Sequence, residues 1–152
     1  MRYLYKLAYL LLRLYWRLAK PITIGVRLLM IQDGAVVLVK HTYDAGWHMP
    51  GGGLKRGETL EAAVRREAAE ETGAILEHLS LLGIYSSFYQ AKSDHVAVFV
   101  SEKFTLTERQ DRAEIEQVGV FPLDNLPPQA SEGARRRIAE YHQQGGPYFG
   151  AW

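Results

Sequence analysis

The sequence contains no cysteine, and this absence excludes both structural disulfides and metal sites built from thiolates. A chain without cysteine suits a reducing compartment, so we expect a cytoplasmic protein. Repeats and low-complexity segments are also absent, and a length of 152 residues predicts one domain with a proper core. The formal net charge is only +1, which gives no overall attraction to nucleic acid, so we expect no nucleic-acid partner.

The sequence also lacks an uninterrupted apolar run of ~20 residues, the length that a transmembrane helix requires. Arg13 and Arg17 break the apolar stretch near the beginning of the chain, and no A-x-A cleavage site follows it. We therefore expect neither a membrane span nor a cleaved signal peptide.

Residues 1–20 are predicted to form an N-terminal amphipathic helix. They contain five basic and no acidic residues, whereas the rest of the chain has thirteen basic against seventeen acidic residues, a net charge of −4. On a helical projection the cations share one narrow stripe, formed by Arg2, Lys6, Arg13, Arg17 and Lys20. Such a helix suits an anionic membrane surface, where the protein would be peripheral to the inner face. It also suits packing on its own domain or on a second copy in a homodimer, which we favour because wide apolar faces more often contact protein.

The most informative segment is residues 52–74, GGLKRGETLEAAVRREAAEETGA. Thr59 is a suitable N-cap, a run without proline or glycine extends to Thr72, and Gly73 provides a C-terminal stop. The segment therefore predicts a helix between two glycine-containing loops.

Three glutamates of this helix share one face, since Glu67, Glu70 and Glu71 stand at positions i, i+3 and i+4. Like charges this close repel one another unless a cation offsets them. Hard carboxylate oxygens favour Mg²⁺, with Mn²⁺ as an alternative.

The pattern G-x5-E-x7-R-E-A-x-E-E-x-G-A resembles the signature box of the Nudix hydrolases and matches it at every charged and glycine position. The resemblance implies an α/β fold, namely an α/β/α sandwich with a mixed β-sheet, to which the N-terminal helix is an addition. It also implies Mg²⁺-dependent cleavage of the phosphoanhydride in a nucleoside diphosphate linked to another moiety, a small-molecule nucleotide-type substrate.

The resemblance further suggests roles for single residues. Glu70 and Glu71 are the expected metal ligands, and Glu67 is a further ligand or the general base. The backbone carbonyl of Gly52 corresponds to an additional metal oxygen, while Glu58 and Arg66 correspond to orienting residues. Many relatives add a carboxylate from a later loop, and Glu114 is our choice for it.

The glycine run before the box predicts a loop whose backbone approaches a phosphate or a metal closely. We therefore expect Gly51, Gly52 and Gly53 to contact the substrate. Trp47 stands just before this run and is a candidate for stacking on a base, although it suits the hydrophobic core equally well.

The remaining pattern predicts strands at residues 22–28, 36–39, 79–87, 95–104 and 118–122, a loop at 105–113, and a last helix from Ser131 to about residue 143. The predicted organisation is the helix 1–20, a catalytic domain at 21–144 and a tail at 145–152. The sequence leaves three other functions open: a non-catalytic nucleotide-binding module, an RNA 5′-end pyrophosphohydrolase, and a membrane-surface adaptor built on residues 1–20.

Overall fold

The computed structural model describes residues 21–88, 92–109 and 113–152, together with Leu11, Leu14, Tyr15 and Leu18. Its strands are β1 Ile22–Gln32, β2 Ala35–His41, β3 Trp47–His48, β4 Ala74–Leu76, β5 Ser80–Ser87, β6 Ser93–Ser101, β7 Phe104–Leu106, β8 Ile115–Pro122 and β9 Tyr148–Ala151. Its two helices with defined bounds are α1 Leu60–Thr72 and α2 Glu132–His142.

The main sheet is mixed and has the strand order β3-β2-β1-β6-β5-β9, and β8 also pairs with β2. The pairs β1–β6 and β5–β9 are parallel, and the remaining pairs of this sheet are antiparallel. The short strands β4 and β7 form a second, two-stranded sheet.

The two helices cover opposite faces of the main sheet. Alternate residues of β1 point to opposite sides and are buried under different helices. Val26, Leu28 and Met30 belong to the core that contains the small residues Ala63 and Ala68 of α1. Leu29 and Ile31 belong to the other core, which contains Ala134 and Ile138 of α2. The α/β/α sandwich with a mixed sheet predicted from the sequence is confirmed.

The box helix begins and ends where its sequence predicts. The hydroxyl of Thr59 accepts a hydrogen bond from the backbone N–H of Ala62 at 3.1 Å. Gly73 ends the helix in a left-handed conformation with φ 73°, and its N–H donates to the carbonyl of Ala69 at 3.0 Å. These caps fix the ends of the segment that carries the glutamates.

The structure adds elements that the sequence does not predict. We set residues 145–152 apart as a tail, but Tyr148–Ala151 form β9 and pair with β5. The expected loop at 105–113 contributes its first residues to β7, and the strand expected at 118–122 begins earlier, at Ile115.

The predicted N-terminal helix lies largely outside the described residues. Leu11, Leu14, Tyr15 and Leu18 are helical and exposed. Among the residues that the structure describes, no helix has the length and hydropathy needed to span a membrane.

Candidate active site

Arg66 of α1 gathers the box carboxylates around one guanidinium group. Its Nη1 donates to Glu67 at 2.7 Å and to Glu70 at 3.2 Å. Its Nε and Nη2 donate to the two oxygens of Glu58 at 2.8 and 2.9 Å. The sequence predicts this orienting role for Arg66 and Glu58, and the structure brings both together with the glutamates of the helix.

The bidentate pair with Glu58 has a clear electrostatic effect. The hydrogen bonds from Arg66, followed by one from the backbone N–H of Lys55, lower the pKa of Glu58 to about 2. Glu58 is therefore ionised throughout the physiological range, and it fixes the guanidinium that in turn orients Glu67 and Glu70.

Glu71 faces a different environment from its neighbours on the helix. Its side chain is 4% exposed, and its carboxylate accepts a hydrogen bond from the backbone N–H of Gly51 at 2.9 Å. Burial raises the pKa of Glu71 to about 7, although the Gly51 bond and the charge of Arg27 act in the opposite direction. The charges of Glu67 and Glu114 raise this pKa further, so the negative charge of Glu71 is poorly compensated.

The glycine loop, residues 50–53, runs alongside β1, and its successive carbonyls point to alternate sides. The carbonyl of Gly52 accepts the N–H of Val26 at 2.9 Å, and that of Pro50 accepts the N–H of Leu28 at 2.9 Å. The polar atoms of Gly51 are bound to side chains instead, its N–H to Glu71 and its carbonyl to Arg27. The assignment of Gly52 as a metal ligand stays a prediction, and its carbonyl is already engaged by β1.

Gly52 and Gly53 connect the glycine loop to α1. A Cβ on Gly52 would lie 2.5 Å from a carboxylate oxygen of Glu67, so the loop and α1 touch at this point. The carbonyl of Gly53 accepts a hydrogen bond from Nη2 of Arg66 at 3.2 Å. The loop is therefore bonded directly to the carboxylate cluster, although contact of the glycines with substrate stays a prediction.

Glu114 approaches the site from the segment before β8. Its carboxylate accepts a hydrogen bond from the Tyr43 hydroxyl at 3.0 Å, and it lies 3.9 Å from Nδ1 of His41. Partial desolvation of the phenol hydroxyl, followed by the bond to Glu114, raises the pKa of Tyr43 to about 12, although the side chain as a whole is exposed. Since the charge of Glu114 acts on Glu71, the structure brings this carboxylate near the box, while its role as a metal ligand stays a prediction.

Trp47 is accounted for by packing. Its ring meets that of Phe121 edge-on at a centroid distance of 4.8 Å, and it packs against the core on the α2 side. Stacking of Trp47 on a base stays a prediction.

Arg27 and His41 belong to the site without having been predicted from the sequence. Arg27 reaches the Gly51 carbonyl from β1, and its charge lowers the pKa of Glu71. His41 is 7% exposed, and burial, followed by the charge of Arg27, lowers its pKa, so the imidazole is neutral at neutral pH. The sequence does contain a signal for Arg27, because this cation shares one face of β1 with the buried residues Leu29 and Ile31.

The donor set fits a hard divalent cation. Glu67 and Glu70 already share one positive group, the guanidinium of Arg66. A second cation would stabilise the buried negative charge of Glu71. Within residues 21–88, 92–109 and 113–152, no three carboxylate or imidazole groups yet converge as the ligands of one metal ion do. Glu70 is partly exposed, so its side chain has room to rotate toward a metal ion.

Comparison with known proteins agrees with this geometry. The family model of the NUDIX domain matches residues 20–141. The crystal structure of a MutT NUDIX hydrolase from Burkholderia pseudomallei is 26% identical in sequence, has a TM-score of 0.70, and matches over 78% of this chain and 97% of that one.

Two curated relatives carry the names of specific enzymes. An ADP-ribose pyrophosphatase of Methanocaldococcus jannaschii is 38% identical over 103 residues, which are 63% of this chain and 59% of the relative. An RNA pyrophosphohydrolase of Xanthomonas oryzae pv. oryzae is 46% identical over 55 residues, which are 36% of this chain and 27% of the relative. The chain thus spans less than two thirds of the length of either relative. Because the family model matches most of its length and the geometry of the box agrees, the chain belongs to the NUDIX family.

Proposed function

We propose that the protein is a Mg²⁺-dependent hydrolase that cleaves the phosphoanhydride of a nucleoside diphosphate linked to another moiety. The observation that carries the proposal is the cluster around Arg66, in which Glu58, Glu67 and Glu70 are held by one guanidinium beside the glycine loop. The bond from Gly51 to Glu71 places this loop against the same helix.

The residues of the site divide into those that would bind the metal and those that orient them. Glu70 and Glu71, with a backbone carbonyl of the glycine loop, would hold the metal, and Mn²⁺ would serve in its place. Bound Mg²⁺ would stabilise the charge that develops on the phosphoryl oxygens. Arg66, itself fixed by Glu58, keeps Glu67 and Glu70 in their orientation.

Glu67 is our choice for the general base. Its carboxylate accepts a hydrogen bond from Arg66 at 2.7 Å through Oε1. It lies against Gly52, where α1 packs on the glycine loop. From this position it would accept a proton from the attacking water. The water then attacks one phosphorus in line, and the bond from that phosphorus to the bridging oxygen breaks.

The names of the relatives suggest two substrate classes for testing. ADP-ribose represents the first class, and it agrees with a small-molecule nucleotide-type substrate. The 5′ end of RNA represents the second, but the net charge of −4 over residues 21–152 gives RNA no general attraction. A purely nucleotide-binding module would not need the complete carboxylate cluster, so we favour an enzyme.

We infer a cytoplasmic location, and contact with a membrane surface or a second copy would involve residues 1–20. The exposed positions Leu11, Leu14, Tyr15 and Leu18 share one helix face, because they stand at i, i+3, i+4 and i+7. Removal of residues 1–20 would leave hydrolysis in solution intact if this segment serves attachment alone.

The function is tested by incubating the protein with Mg²⁺ and a panel of nucleoside diphosphate derivatives, and by measuring phosphate released after a phosphatase step. The panel contains ADP-ribose, dinucleoside polyphosphates, CoA and a 5′-triphosphorylated RNA oligonucleotide. We expect hydrolysis of a small-molecule member that stops in EDTA. Hydrolysis of the RNA alone would favour the second class, and hydrolysis of none would refute the proposal.

A further inference from the structure

We infer that the groove on the main sheet beside the glycine loop binds the nucleoside monophosphate half of the substrate, with its phosphate at Arg27 and its base at Asp94. The inference rests on the proposed function, and it adds the recognition that the box itself does not provide. It selects for nucleotides whose base donates a hydrogen bond through an amine.

The groove lies between β1, β6 and the glycine loop. Its cavity volume is about 170 Å³, and it is lined by Thr23, Ile24, Gly25, Val26, Arg27, Gly52, Gly53, Asp94 and Val96. Larger cavities of about 330 and 380 Å³ lie at other places, lined by neither the box carboxylates nor the glycine loop. Among these cavities of the described residues, the small one includes Gly52 and Gly53, and the carbonyl of Gly53 is bonded to Arg66 of the carboxylate cluster.

The floor of the groove is bare because Gly25 has no side chain. A Cβ at this position would lie 3.2 Å from the carbonyl oxygen of Gly52, which is tighter than ordinary contact. Gly25 pairs with Val96 of β6, whose side chain is largely buried in the core, so the partly exposed backbone of Gly25 lies between the two polar ends. Such a surface suits a sugar or a base ring.

Arg27 supplies the positive end of the groove. Its guanidinium donates to the Gly51 carbonyl, and the N–H of the same glycine donates to Glu71. The charge of Arg27 lowers the pKa of Glu71, so the guanidinium lies near the carboxylate cluster. A phosphate bound here lies next to the metal-binding cluster, as a phosphoanhydride must.

Asp94 supplies an acceptor at the opposite end. One of its carboxylate oxygens accepts the Thr23 hydroxyl at 2.8 Å, and this bond fixes the side chain across the pair formed by β1 and β6. The other oxygen remains available to a ligand. A carboxylate accepts hydrogen bonds but donates none, so it favours an amine or hydroxyl over a carbonyl.

The spacing of the two ends decides which part of the substrate reaches Asp94. Thr23, the neighbour of Asp94, precedes Arg27 by four positions on β1, a rise of about 13 Å at ~3.3 Å per residue. This span exceeds the distance from a phosphate to its own ribose and matches an extended nucleotide. The volume is below the ~300 Å³ of pockets that enclose a whole ligand, so the second half of the substrate lies outside the groove.

Binding without catalysis tests the inference. Calorimetric titrations in EDTA would use ADP, UDP and inorganic pyrophosphate on wild-type protein and on the variants R27Q, R27K and D94N. R136Q is the matched control, because Arg136 lies on the exposed face of α2 and pairs with Glu132 at 3.1 Å. D94N keeps an acceptor for Thr23, and thermal melts show whether each variant is folded.

We expect R27Q to weaken ADP and pyrophosphate alike by about tenfold or more, with R27K between it and the wild type. D94N should weaken ADP by a similar factor, leave pyrophosphate unchanged and remove the preference for ADP over UDP. R136Q should bind as the wild type does. Folded R27Q and D94N variants that bind all three ligands like the wild type would overturn the groove assignment, as would wild-type protein that binds none of them.

Hydrolysis of the substrate panel by the same preparations separates this inference from the proposed function. Turnover by wild-type protein together with unchanged ligand binding in R27Q and D94N would refute the groove and leave the hydrolase proposal standing. The expected binding pattern without any turnover would refute the hydrolase proposal and leave the groove standing.

Discussion

The buried carboxylate of Glu71 accepts a hydrogen bond from the backbone N–H of Gly51 at 2.9 Å, and this bond ties α1 to the glycine loop. The carboxylate of Glu71 has little access to solvent, and it lies beside Gly51, whose carbonyl is bonded to Arg27. Without a metal ion, the charge of Glu71 therefore destabilises the folded protein. The free energy of unfolding should change with the protonation of Glu71 and with metal binding.

The first prediction is that E71Q is more stable than the wild type in EDTA. Glutamine keeps an acceptor for Gly51 and removes a buried charge, so we expect a gain on the order of 2 kcal/mol at pH 8. The folded-state pKa of Glu71 is raised from 4.5 to about 7, so wild-type stability decreases as pH rises through this window and the gain disappears below it. Urea unfolding at pH 4 and pH 8 measures both values.

E61Q is the control for this measurement, because Glu61 lies on the same helix, is exposed, and pairs with Arg65 at 2.9 Å. It should change stability by less than about 0.5 kcal/mol at either pH. A wild-type protein that is more stable than E71Q at pH 8 in EDTA would show that the Glu71 charge is compensated.

The second prediction concerns the pair of Glu58 and Arg66. The folded-state pKa of Glu58 is lowered from 4.5 to about 2, so its contribution to stability is complete above pH 4.5 and is lost as the pH falls toward 2. The melting temperature of E58Q should therefore lie below that of the wild type at pH 6, and the difference should shrink at pH 3. E132Q, at an exposed position of α2, controls for general acidification. A difference that is constant with pH would contradict the assignment.

The third prediction is that G51A is destabilised by about 2 kcal/mol or more, since Gly51 has a φ of 141° and a Cβ there would clash with the Val26 carbonyl. Gly53, two positions further, offers a matched control, because a Cβ at that position would meet no atom of a non-adjacent residue within 4 Å. Chemical unfolding of both variants gives the comparison. Equal stability of G51A and G53A would mean that the loop adopts another conformation.

The fourth prediction tests the strand β9 and the residue after it. Trp152 meets Tyr85 edge-on at a centroid distance of 6.1 Å and lies against Gly133 of α2, so W152A should lose about 1–2 kcal/mol. Phe149 in the same strand is 76% exposed, so F149A should change stability by less than about 0.5 kcal/mol. If both variants unfold at the wild-type denaturant concentration, β9 does not contribute to the fold.

Local signals in the sequence predicted the box helix well. Thr59 and Gly73 cap it through contacts with residues three or four positions away, so their effect is visible in the sequence itself. The shared face of Glu67 and Glu70 follows in the same way from the helical period. The sheet and its covering by helices on both faces followed from alternation and from the family resemblance.

The remaining features depend on residues that are distant in the chain. β9 forms because Gly83 lets the backbone of Tyr148 approach β5, and this partner is 65 positions away. Arg27 becomes part of the site only when the loop at Gly51 lies alongside β1. The short strands β3, β4 and β7 contain two or three residues each, too few for a periodic pattern.

The most direct measurement is the turnover number of E70Q and E71Q at saturating Mg²⁺, compared with wild type and with E61Q, on the best substrate of the panel. Each box variant removes one ligand charge at nearly constant shape, so kcat should fall by about two orders of magnitude or more with the fold intact. E61Q lies on the same helix outside the cluster and should keep wild-type kcat. A near-normal kcat in E70Q or E71Q, or an equal loss in E61Q, would contradict the account of this site.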